Sequence, residues 1–219
     1  MKRFAAVVGI ALSLSYVASA AMVSAYDSSS QAGNQSFSGS LGLDFNVNSP
    51  ITVSALGAFV GSNNSPTGLA TPVTVTIYDR TTGLPVATET VSGTANSTLG
   101  GYDLLSLGSP VTLPSGFQGS VVVSGYGASE FNCNTLISGC TGSTENSNGG
   151  LISFVGSGRF GAAGAYPTTV DTGSSNLYGA GTFSFAAAAV VSGVPEPASM
   201  GLLSLGLIGL GAIRLRKRA

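Results

Sequence analysis

Hydrophobic and polar residues alternate along much of the chain between residues 36 and 189. Leu41, Leu43, Phe45 and Val47 are interleaved with Gly42, Asp44 and Asn46, the period of a half-buried strand. Ile51 to Val60 continues the pattern beyond a turn at Pro50. Val73, Val75 and Ile77 face one way, and Thr74, Thr76 and Tyr78 the other. Asp79-Arg80-Thr81-Thr82-Gly83 reads as a hairpin loop from which Leu84 to Val91 returns. Tyr102 to Leu107, Val111 to Leu113, Gly119 to Ser124, Leu151 to Val155 and Thr182 to Val191 add further strands. Short strands with turn signals between most of them predict an all-β body, a two-sheet sandwich or jelly roll. No repeat of fixed period is visible, which argues against a solenoid or propeller.

The two ends break the alternation. Met1-Lys2-Arg3 precedes an apolar run from Phe4 to about Ala18 and then small residues, the three parts of a secretory signal peptide. Val23-Ser24-Ala25 offers a small-x-small cleavage site before Tyr26, and Ala18-Ser19-Ala20 is the alternative. The first boundary is drawn at residues 1–25. A retained membrane anchor is disfavoured by the shortness of the run. At the other end, Val194-Pro195-Glu196-Pro197 leads into an uncharged stretch from Ala198 to Ile213, and Arg214-Leu215-Arg216-Lys217-Arg218 closes the sequence. A helix starting after Pro197 and running to Leu215 would be about 27 Å long, close to a hydrocarbon core of about 30 Å. The pattern predicts a C-terminal transmembrane helix over part of 194–219. Arg214, Arg216, Lys217 and Arg218 would stay in the cytoplasm as a stop-transfer cluster, with the body, residues 26–193, on the periplasmic side of the inner membrane.

Composition narrows the chemistry. The 219 residues include no His, which excludes Ser-His-Asp, Cys-His and His-zinc sites. Between residues 26 and 193 only Arg80 and Arg159 are basic, against eight acids, a net charge of −6. So acidic a body offers no grip on phosphates, and nucleic acid is excluded as a partner. Cys133 and Cys140 lie in a Gly-, Ser- and Asn-rich insert from Gly125 to Gly150. In an exported chain this spacing predicts one disulfide. Two Cys without His leave a metal site half built, so neither metal nor cofactor is expected.

Candidates for catalysis are few. Asp44, Asp79, Asp103 and Glu130 could include a carboxylate pair of the glycosidase kind, but they fall on different elements and nothing fixes their separation. Solvated faces and turn caps account for them, and no catalytic residue is assigned. Binding is the better prospect. Tyr78, Tyr102, Tyr126, Phe131, Tyr166 and Tyr178 could present rings for sugars to stack on, although core packing and edge coverage are the better explanation of any one of them.

The tail resembles a PEP-CTERM sorting signal, also labelled "ice-binding protein C-terminal". Pro195, Glu196 and Pro197 match its Pro-Glu-Pro motif, Gly201 to Ile213 its Gly- and Leu-rich span, and Arg214 to Arg218 its basic end. The resemblance covers about the last 26 residues and implies no ice binding. It implies that an exosortase, a membrane transpeptidase of Gram-negative bacteria that make exopolysaccharide, reads the motif and removes the span. The body, from Phe45 to Gly125, is similar to the uncharacterised sandwich domains that precede such tails. These readings converge on a non-catalytic exported protein of the cell envelope or extracellular matrix. Its expected partners are signal peptidase, exosortase, the inner membrane and exopolysaccharide. The alternative is a carbohydrate-binding or adhesive module with a defined ligand.

Overall fold

The computed structural model describes residues 21–29, 31–61, 68–93, 97–127 and 129–189. The expected signal helix and C-terminal helix lie outside the described residues, as do the Pro-Glu-Pro motif and the basic cluster. Among the described residues, no helix is long and apolar enough to cross a membrane. The chain divides after Ala188 into two units, Met1–Ala188 and Ala189–Ala219, and all the strands below belong to the first.

Eight long strands carry the architecture: β3 (Ser40–Val47), β4 (Ile51–Phe59), β5 (Leu69–Asp79), β6 (Pro85–Gly93), β8 (Tyr102–Leu113), β9 (Gln118–Ser124), β12 (Ile152–Gly161) and β15 (Gly181–Ala187). Two-residue pieces fill in around them: β1 (Val23–Ser24), β2 (Tyr26–Asp27), β7 (Thr98–Leu99), β10 (Cys133–Asn134), β11 (Thr144–Glu145), β13 (Thr169–Val170) and β14 (Tyr178–Gly179). A six-stranded sheet runs β13-β12-β3-β9-β5-β6 and a five-stranded sheet runs β1-β15-β4-β8-β7, with all pairings antiparallel. The chain changes sheet at every connection between successive long strands except the β5–β6 hairpin and the β9–β12 insert.

The sandwich follows from the side-chain alternation. Val73, Val75 and Ile77 of β5, Val121 and Val123 of β9, and Leu41, Leu43 and Phe45 of β3 are all buried and point at the other sheet. From that sheet Phe183 meets Phe45 with ring centroids 4.7 Å apart, close enough to add to simple area burial. The sheets lie close together at Gly181, where a Cβ would lie 2.2 Å from Val123 Cγ2.

Two elements differ from their sequence patterns. Tyr102–Leu107 and Val111–Leu113 are one strand, β8, not two. Its register against β4 shifts between Val53 and Ala55, and exposed Gly108, Ser109 and Pro110 bulge out of the ladder there. Proline is tolerated in a strand at such a bulge, where no ladder hydrogen bond is asked of it. The second difference is β3, whose polar face is not solvated: Ser40, Gly42 and Asp44 are buried along with the apolar face. Their cover comes from the bulge in β12 and from the loop after it.

Candidate functional site

Asp44 is the centre of that covered face. In β12 the stretch Val155 to Arg159 lies opposite only Asp44 to Gly42 of β3. Gly156 takes φ +71° inside this bulge, a conformation glycine adopts without penalty. The bulge aims Arg159 back at β3, and its Nε donates to Asp44 at 2.9 Å (Oδ1) and 2.7 Å (Oδ2). From the other side Arg80, just beyond β5, donates through Nη1 to Asp44 Oδ2 at 3.3 Å. Its Nη2 donates to Phe45 O at 3.4 Å and also to Asn46 Oδ1. The body's two cations therefore converge on one carboxylate that is 3% exposed. The Arg159 guanidinium also lies over the Tyr166 ring, 5.8 Å from its centroid.

Beside this cluster a groove of about 190 Å³ runs over the outer face of the six-stranded sheet. Ser40, Val122 and Ser124 form its floor with Thr74 and Thr76, while Pro85 and Thr88 of β6 stand along one side and Gly164 along the other. The loop carrying Gly164 reaches over β3, with Pro167 packed close to Gly42. The hairpin register sets threonines opposite each other. Thr74 and Thr90 hydroxyls are 3.2 Å apart, and so are those of Thr76 and Thr88. Tyr78 closes one end, with the Tyr166 ring 5.4 Å from its own. Partial burial pushes the Tyr166 phenol up, and the Arg159 charge pulls it back. Ser40 Oγ is buried without a hydrogen-bond partner.

Three of the remaining ring candidates, Tyr102, Tyr126 and Tyr178, are buried in the body. The Tyr102 hydroxyl pairs with Ser28 and Ser143 at 3.0 and 3.1 Å. Tyr126 donates to the carbonyls of Phe59 and Ala180. Phe131 is exposed but lies away from the groove lining. The acids are likewise committed to separate partners. Asp79 Oδ1 accepts from Thr81 N at 2.7 Å and Thr81 Oγ1 at 2.6 Å, which holds its carboxyl below the usual range. Asp103 is buried and accepts from Ser97 N. Buried Glu130 accepts from Thr71 N at 3.1 Å and also from Ala70 N, capping the start of β5. These four acids thus serve four different stretches of backbone and charge.

Cys133 and Cys140 form a disulfide, Cα atoms 5.7 Å apart. The closed loop is tied down by Asn34, whose Nδ2 donates to Asn134 O, Ile137 O and Ser138 O. Next to it lies a larger open basin of about 650 Å³, lined by Asp27, Gln31, Thr141, Glu145 and Asn176 among others. Its polar atoms answer one another: Gln31 Oε1 accepts from Thr141 N, and Glu145 Oε1 from Ser175 Oγ.

Of the six rings that the sequence offers, Tyr78 and Tyr166 meet at this groove, and Thr74 and Thr76, which the alternation places on the same face as Tyr78, line it. The sequence does not point to Ser40, Pro85 or Thr88. The hairpin signal at Asp79–Gly83 was the available clue, since it puts the β6 threonines across from those of β5.

Residues 193–218 match the PEP-CTERM protein-sorting motif. The match spans Pro195, Glu196, Pro197 and the basic end. It marks an exported, membrane-passing precursor destined for the cell surface, sorted with the help of an exosortase. No curated protein matches the chain.

Proposed function

We propose that this chain is a non-catalytic component of the envelope or extracellular matrix, brought out by a signal peptide and held at the inner membrane by its tail until an exosortase acts at Pro195-Glu196-Pro197. The observation that carries the reading is the sorting motif at 193–218. The body in front of it supports this reading, because the four candidate carboxylates, Asp44, Asp79, Asp103 and Glu130, are engaged by arginines and backbone amides. Arg214, Arg216, Lys217 and Arg218 act as the cytoplasmic stop, and the body faces the periplasm before release. Changing Pro195→Ala together with Glu196→Ala should leave full-length protein in the inner-membrane fraction. Normal processing of that double variant would remove the motif from the account.

A second reading, a module with a defined carbohydrate ligand, is favoured by the groove at Tyr78. A pyranose has an apolar C–H face that stacks on a tyrosine ring and a rim of hydroxyls that exchange hydrogen bonds with Ser and Thr. Thr74, Thr88, Ser124 and Tyr78 supply that combination in a space of about 190 Å³, room for a single sugar ring. In native gels cast with dextran, laminarin or xylan, the detergent-solubilised full-length chain should be retarded by at least one of the three. Tyr78→Ala should abolish the retardation, while Phe131→Ala should not. Equal retardation of all three proteins would place any sugar site elsewhere, and no retardation on any gel would leave the structural reading alone.

A further inference from the structure

The start of the described chain is built into the sandwich. β1 pairs with the edge of β15, Val23 opposite Phe185 and Ser24 opposite Ser184. Ala25 is fully buried; its N–H donates to Phe183 O at 2.9 Å and its carbonyl accepts from Asn146 N at 2.9 Å. Ser24 Oγ donates to Tyr26 O at 2.8 Å and lies 2.9 Å from Thr182 Oγ1. The Tyr26 N–H donates to Thr182 Oγ1 at 3.0 Å. Tyr26 itself is fully buried, its ring 5.0 Å from Phe154.

Of the two candidate signal-peptidase sites, one cuts through this arrangement. Hydrolysis after Ala25 would remove β1 and uncover the edge of β15. It would also discard the buried Ala25 with its bond to Phe183 O, and Asn146 N–H would lose its acceptor. Hydrolysis after Ala20 does none of this. Its new ammonium falls on Ala21, which is exposed, and Met22 beside it is 42% exposed. Ala18-Ser19-Ala20 carries the small-x-small pattern with alanine at both small positions.

We propose that signal peptidase cleaves the Ala20–Ala21 bond, so that the mature chain begins at Ala21 and keeps Val23–Ser24 as the edge strand of the five-stranded sheet. Water is the co-reactant: the peptide bond breaks, Ala20 leaves as a carboxylate at the end of the signal peptide, and Ala21 gains the amine. The inference rests on the reading that the chain is exported. Retention of β1 also covers an edge that would otherwise offer unpaired backbone groups to other chains.

The test is N-terminal sequencing and intact mass of the full-length gene product recovered from the membrane of an expressing Gram-negative host. A terminus at Ala21 is expected. A terminus at Tyr26 overturns the proposal while leaving export standing, whereas a chain that still begins at Met1 overturns the proposal and the export reading together. Pulse-labelling adds a readout that does not depend on folding. Ala20→Leu should accumulate precursor several-fold, and Ala25→Leu should be processed at the wild-type rate; the reverse pattern would assign the cut to Ala25.

Discussion

At the scale of single residues, Asp44 has the most depending on it. It neutralises one of two guanidinium groups that are themselves only 16% and 19% exposed. Removing the shared partner strands both. Breaking a buried ion pair costs about 3–5 kcal/mol. Here Arg80 and Arg159 can turn partly to water, so Asp44→Asn should cost about 2–3 kcal/mol, read as a lower midpoint in guanidinium chloride with unchanged slope. Arg159→Gln should cost less, because Asp44 keeps Arg80. Combining the two changes should cost clearly less than their sum, since both act through one network. Additivity would mean that the three side chains are not energetically coupled. Asp44 also shows where sequence reasoning stopped. Its alternation with Leu43 and Phe45 identifies a strand, but nothing local says that a bulge far along the chain will return Arg159 to cover its outer face.

At the scale of elements, the alternation marked out the long strands because period-2 patterning and sheet burial are the same physical fact. It misjudged β8, where Pro110 reads as a break and is accommodated as a bulge. It passed over the two-residue pairs β1–β15, β2–β11 and β10–β14, which lie at chain ends or in the polar insert and carry too few residues to show a period. The disulfide was legible from compartment and spacing; its setting was not, because Asn34 reaches the loop across about a hundred residues of sequence. Closing so short a loop stabilises by about 2–3 kcal/mol in the chain-entropy model. Mild reduction should therefore lower stability by about that amount. It should speed amide exchange over residues 133–140 while leaving β3 and β9 protected. Uniform loss of protection would show instead that the insert and the sandwich unfold as one unit.

At the scale of the whole molecule, the body carries few charges, and its core includes buried phenols. Tyr26, Tyr102 and Tyr126 are fully buried across the interior. Burial raises the Tyr102 phenol from 10.0 to about 12, against hydrogen bonds from Ser143 and Ser28 that act the other way. Tyr26 and Tyr126 are pushed well above 10.0 by the same desolvation. The unfolded chain releases these protons near pH 10 and the folded chain holds them, so the unfolded state binds fewer protons above that pH and stability falls as pH rises. The contribution is intact below pH 10 and is lost between 10 and 12 for Tyr102, over a longer range for the other two. Each phenol that the folded chain alone keeps protonated removes up to about 1.4 kcal/mol of stability per pH unit over that range. Loss of the β-sheet circular-dichroism signal should coincide with the rise of tyrosinate absorbance in one cooperative step. Tyr26→Phe separates this from general alkaline damage. Its hydroxyl is buried without a hydrogen-bond partner, so the change should cost nothing at neutral pH and lower the alkaline slope by about a third. An unchanged slope in that variant would mean that Tyr26 reaches solvent before the sandwich opens.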